Sequence, residues 1–191
     1  MITDRPPRVR ARREAFERSD RLRELPLPDD DRLVRAAREI ERTLAAEDRA
    51  GLERACRTFC ERAAAFFGVP APPVRVLAAR PLRRYRGGGR TELYGDYEFD
   101  SGLIRVFMRT AVHKKVTSFG TLLSTLCHEF CHHLDVHRFG FDDTPHTRGF
   151  YERTARLYHH ARGEPYRAIA WVRAPGGTWR VDWARMRRRS G

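Results

Sequence analysis

His128, Glu129 and His132 stand in the order H-E-x-x-H within residues 121–135, TLLSTLCHEFCHHLD. Metal-assisted hydrolysis asks for this trio. Residues i and i+4 lie on one face of a helix, so both imidazoles can meet one ion. Glu129 adjoins the first ligand, where its carboxylate can serve a metal-activated water as general base, and an open coordination position remains. Catalytic zinc usually takes a third protein ligand, and the downstream sequence offers several. The extension H-E-x-x-H-x-x-G-x-x-H fails, because Asp135 and Arg138 stand where glycine and histidine are required. His137, five residues past His132, leaves the metal-facing stripe, and Asp142 and Asp143 require the loop to fold back. His146 is the best candidate, at the start of a second expected helix after a chain reversal. Glu152 is the runner-up, and a capping or surface histidine is the plain alternative for His146. His133, His159 and His160 read as surface residues. Tyr158 could stabilise an oxyanion but reads as a core tyrosine.

These groups need a helix to hold them. Phe119, Leu122, Leu123, Leu126, Phe130 and Leu134 recur at three- and four-residue spacing, with Ser118 as N-cap. Upstream, helices are expected over residues 14–25, from Asp29-Asp30-Asp31 through Leu44, and over 51–67, the last stopped by Gly68 and the following prolines. Alternation then signals strands. Val74, Val76 and Ala78 mark one, and Leu93, Tyr97 and Phe99 a second. Residues 103–108 form a third, paired with the second as a hairpin across Asp100-Ser101-Gly102. Residues 80–90 read as a basic loop without the G-K-[ST] ending of a phosphate-binding loop. Beyond the motif, Thr144-Pro145 is expected to start a helix over 146–161. Two short strands follow, 166–172 and 178–181. The expected fold class is α+β: N-terminal helices, a small and mostly antiparallel sheet, the H-E-x-x-H helix and one helix after it. The expected organisation is a disordered basic arm over 1–13, a helical extension over 14–50, a domain over 51–184 that carries the H-E-x-x-H helix, and a basic tail over 185–191.

Composition narrows the setting. The net charge is +13, and all but two of the 38 basic residues are arginine. Such a surplus favours polyanions, so nucleic acid is a candidate partner alongside a protein or peptide substrate. No run of about 18 apolar residues exists, so no membrane span is expected. The N-terminus lacks the apolar region of a secretory signal, so a cytoplasmic location is expected. Cys56/Cys60 and Cys127/Cys131 are spaced i,i+4, which is neither zinc-ribbon nor redox spacing, and read as small buried hydrophobes.

The order of a helix, GVPAPPVRV, a hairpin, TLCHEFCHHLD and PHTRGFYERTARLY resembles the SprT-like zinc metallopeptidases and related WLM-type small zincins, over roughly residues 52–160. The His146-Thr147-Arg148-Gly149-Phe150 stretch matches their downstream H-x-x-x-F context. The resemblance implies one catalytic Zn²⁺ held by His128, His132 and His146, Glu129 as catalytic residue, and a minimal zincin fold with an edge strand above the cleft. It departs from many members in having no cysteine after Cys131, hence no C-terminal zinc ribbon.

Overall fold

The computed structural model describes residues 1–84 and 90–188. The described chain is α+β. Helices α1 (Arg10–Arg21), α2 (Arg32–Ala45) and α3 (Arg49–Phe67) precede strands β1 (Val74–Ala79), β2 (Leu82–Arg84), β3 (Arg90–Glu92), β4 (Gly95–Glu98) and β5 (Leu103–Arg109). Helix α4 (Phe119–Leu134) runs directly into a π-helical turn, Asp135–Phe139, and helix α5 (Arg148–Ala161) follows. Strands β6 (Trp171–Arg173) and β7 (Trp179–Val181) and helix α6 (Trp183–Arg188) close the described chain.

Local chemistry explains most of the boundaries. Ser118 caps α4 by accepting from the Thr121 N–H, and Asp48 caps α3 by accepting from Gly51. Gly68 ends α3 in the left-handed conformation at φ 66°, where glycine has no Cβ to clash. Helix α5 starts two residues later than expected. Thr147, not Thr144, supplies the cap by accepting from the Phe150 N–H at 3.0 Å. His146 therefore sits in the loop before the helix rather than in its first turn.

The main sheet has the order β1-β5-β4, with β1 parallel and β4 antiparallel to β5. The hairpin expected between the second and third strands is the β4–β5 pair. Strand β5 lies in the centre because it comes back parallel to β1 while pairing with β4 on its other side; β4 is the edge strand next to α4. The two other pairings, β2–β3 and β6–β7, are antiparallel. A single apolar cluster joins α2, α3, the sheet, α4 and α5, with Phe59, Phe67, Ile104, Leu123, Leu126, Phe130 and Phe150 fully buried. Burying such a side chain contributes roughly 1.5–3 kcal/mol. All four cysteines lie in this cluster as free, buried thiols.

The expected disordered arm over 1–13 is replaced by ordered chain. Ile2 bridges Arg180 of β7, the Thr3 N–H donates to the Trp179 carbonyl at 2.8 Å, and the Trp179 N–H donates to Thr3 Oγ1 at 2.9 Å. Composition pointed to disorder because the arm is rich in proline and arginine. Backbone bonds to β7 and to His146 engage Met1, Thr3 and Asp4 instead. Residues 10–13 form the first turn of α1. At the other end, the expected basic tail is partly helical, with residues 185–188 in α6; residues 189–191 lie outside the described chain, as does the 85–89 part of the basic loop.

Candidate metal centre

Helix α4 presents His128 and His132 on one face, and the loop before α5 brings His146 to meet them. His128 Nε2 lies 3.1 Å from His146 Nε2 and 3.2 Å from His132 Nε2. The ligand-capable atoms of the three residues all fall within 4.8 Å of one another, the one such His/Cys/Asp/Glu cluster among the described residues. Tetrahedral zinc with Zn–N bonds of about 2.0–2.1 Å separates its nitrogens by roughly 3.3 Å, so the donor set and its spacing fit that ion. Burial pulls His128 down to about 3, with His146 beside it adding to the fall. Burial likewise pulls His132 down to about 2, helped by His128 and His146. Both imidazoles are thus neutral at ordinary pH, the form in which histidine binds a metal.

The rings rest on Phe150, whose centroid is 4.9 Å from that of His128, 4.6 Å from His132 and 5.1 Å from His146. This buried aromatic floor restricts the rotamers of all three histidines. Two of the histidines also have an oxygen at the far ring nitrogen. His132 Nδ1 is 2.7 Å from Thr144 Oγ1, and His146 Nδ1 is 3.4 Å from Asp4 Oδ2. A proton on Nδ1 shared with either oxygen would leave Nε2 its lone pair for an ion. Hydrogen bonding from His146 holds the Asp4 carboxyl below the usual carboxylate range.

Glu129 is buried and faces β4. A Cβ placed on Gly95 would lie 3.3 Å from Glu129 Oε1, 2.5 Å from Thr125 Cγ2 and 2.8 Å from the Arg105 carbonyl, so glycine is what lets the edge strand approach the helix so closely. Burial pushes the Glu129 carboxyl up to about 8, and the charge of Asp96 adds to the rise. Asp96 is itself clamped by Arg105, with bonds of 2.9 and 2.6 Å.

Several expected roles change. Glu152, the runner-up ligand, points elsewhere: its carboxylate accepts from Trp171 Nε1 at 2.9 Å and from the Tyr166 hydroxyl. His133 is buried rather than on the surface, 3.2 Å from the Tyr97 hydroxyl and 2.7 Å from the Pro70 carbonyl. It anchors the back of α4 to β4 and to the chain entering β1. The phenol near the imidazoles is that of Tyr151, whose ring lies 5.8 Å from His146; Tyr158 lies further along α5, where Arg162 donates to its hydroxyl.

Asp4, Thr144 and Gly95 had no signal in the sequence, because no local spacing ties them to the motif. The loop carrying His146 is braced by a network of the same non-local kind. Arg153 of α5, fully buried, donates to Asp135 at 2.7 Å and to the carbonyls of Ser19 at 3.2 Å and Leu22 at 2.5 Å. Arg148 binds Asp20, and Ser19 Oγ pairs with Thr147 Oγ1 at 2.9 Å. At Gly149 any Cβ would collide with the Ser19 carbonyl, so α1 packs directly against the first turn of α5. The N-terminal helix is therefore scaffold for the third histidine.

A cavity of about 570 Å³ adjoins His128 between α4 and α5. Tyr151, Tyr158, Ile169 and Trp183 supply much of its wall. No helix among the described residues is long and apolar enough to cross a membrane. Comparison with protein-family models, with curated proteins and with solved structures finds no match.

Proposed function

We propose that this chain is a zinc-dependent metallopeptidase of the SprT-like kind, built on a minimal zincin core. The observation that carries the reading is the convergence of three Nε2 atoms, two of them from the helix that also bears the buried Glu129. Neutral imidazoles, an aromatic floor and two Nδ1 acceptors all favour an ion at that point. Zinc bound there supplies Lewis acidity, polarising a carbonyl and making a water acidic enough to react near neutral pH.

The remaining roles belong to the protein. Burial alone favours the neutral Glu129 carboxyl, and the positive charge of a bound ion would favour the carboxylate; in that form Glu129 takes the proton of the attacking water and delivers it to the departing amine nitrogen. Its shielded position keeps bulk water from competing for that proton. Strand β4 offers the open edge of the sheet beside α4, where an extended peptide can add as a further strand through backbone hydrogen bonds. The cavity beside His128 then receives a substrate side chain.

The test is hydrolysis of an unfolded protein such as casein by the zinc-loaded chain, with and without a chelator, alongside Glu129→Gln. Chelator-sensitive cleavage that disappears in Glu129→Gln while zinc content stays at one ion per chain is the expected result. Loss of zinc together with activity would assign Glu129 a structural role. A zinc-loaded wild type inert toward unfolded protein would remove the peptidase reading.

A further inference from the structure

We propose that Asp4, 142 residues before His146, is a positioning residue of the metal centre, and that the N-terminal strap is thereby part of the site. The inference rests on His146 being the third ligand.

The strap is held at two places. On one side, Thr3 exchanges hydrogen bonds with Trp179, and the Val181 N–H donates to the Met1 carbonyl at 3.2 Å. On the other, the Asp4 N–H donates to the His146 carbonyl at 2.9 Å, and the His146 N–H donates to Asp4 Oδ2 at 2.8 Å. The same Oδ2 atom lies 3.4 Å from His146 Nδ1. One carboxylate oxygen therefore meets both the backbone and the ring of a single histidine. Between the two anchors, the Tyr151 hydroxyl donates to the Ile2 carbonyl at 3.2 Å, and the Tyr151 ring stacks on His146. Backbone, ring orientation and ring tautomer of His146 are all addressed from the strap.

The chemical consequence is specific. A carboxylate at Nδ1 favours the Nδ1–H tautomer, which leaves the Nε2 lone pair free and makes it more basic. His146 sits in a loop, so no helical hydrogen bonds fix its backbone, and its ring is packed by Phe150 and Tyr151 without a hydrogen bond from either. His132 has the Thr144 hydroxyl for the same purpose, but a hydroxyl carries no charge. Losing an outer partner of this kind commonly lowers metal affinity by about 10–100-fold.

Two measurements on the full chain test the proposal. In the metal-free protein, long-range ¹⁵N correlation NMR reads the tautomer of His146 directly. Wild type is expected to show Nδ1–H, and Asp4→Ala a mixture containing Nε2–H. With Zn²⁺ alone as probe, competition against a chromophoric chelator is expected to give Asp4→Ala a Kd about 10–100-fold weaker than wild type, and Asp4→Asn a smaller loss. Asp4→Asn retains an acceptor for the His146 N–H without the charge, so it stays folded if Asp4→Ala does not. Unchanged tautomer and unchanged Kd in Asp4→Asn and Asp4→Ala would overturn the proposal. So would a zinc loss that tracks only a fall in the melting temperature of the metal-free protein. A wild type that binds no zinc yet shows the Nδ1–H tautomer fails the metal reading and leaves the Asp4–His146 coupling standing.

Discussion

The two halves of the candidate centre are built on opposite principles. His128 and His132 are four residues apart on α4, and helical backbone bonds set their spacing, with Phe150 and Thr144 steadying the rings. His146 is placed from a loop, and its surroundings are assembled from distant parts of the chain: the strap at Asp4, the end of α1 at Ser19 and Leu22, and the π-helical turn at Asp135. The first half needs only a helix that forms. The second needs the whole N-terminal region docked. Perturbing the α4 face should therefore change chemistry with little change in fold, whereas perturbing the bracing around the loop should change the fold first and the site with it.

The sharpest contrast is between Glu129→Gln and Arg153→Met. Glu129→Gln should lower the rate of hydrolysis about 10²–10⁴-fold, the span general base catalysis supplies, with the melting temperature and zinc content held. Arg153→Met should instead cost about 3–5 kcal/mol of stability in denaturant titrations, because it leaves the buried Asp135 carboxyl without its cation. An Arg153→Met protein as stable as wild type would erase the distinction between the two halves.

The same pair gives the contrast a pH signature. Burial pushes Asp135 up to about 6 even with Arg153 pulling it down. The folded chain therefore keeps a proton that the unfolded chain, with its ordinary carboxylate near 3.8, has released. The Asp135 contribution to stability is full below about pH 4 and declines as pH rises toward 6. Arg153→Met removes the downward pull, so the decline should extend to higher pH in melting curves taken from pH 4 to 8.

Smaller effects probe where α4 meets the sheet. Gly95→Ala forces a methyl against Thr125 and the Arg105 carbonyl and should cost about 1–3 kcal/mol, the usual penalty of overpacking. It should also disturb Glu129, so activity should fall by more than the loss of folded protein explains. Tyr97→Phe removes the hydroxyl facing His133 and should cost about 1 kcal/mol with zinc affinity unchanged, because His133 braces the back of the helix and binds no ion. A zinc loss in Tyr97→Phe would show that even the α4 ligands depend on long-range bracing.

Much of this was legible in the sequence, and what was legible was local. Ser118, the apolar stripe from Phe119 to Leu134 and the i,i+4 histidines define α4 and its metal face without reference to anything else in the chain. Gly68, the prolines after it and the alternation at Val74 and Val76 likewise place the end of α3 and the start of β1. The cysteines read as inert hydrophobes, and burial indeed pushes the Cys131 thiol up to about 12.

What the tertiary structure decided depends on pairings between distant residues. Period-two alternation marks β4 and β5 as strands but cannot say which is central, because that turns on which of them β1 pairs with. A proline- and arginine-rich stretch looks unable to bury enough surface to order itself, yet residues 1–4 are ordered by the backbone of β7 and the loop at His146. His133 follows its neighbour by one residue and reads as solvent-facing, but Tyr97 and Pro70 lie on that side. Periodicity along a chain encodes which residues share a face. Only the packed fold determines what each face meets, and so whether His146 joins the two histidines of α4.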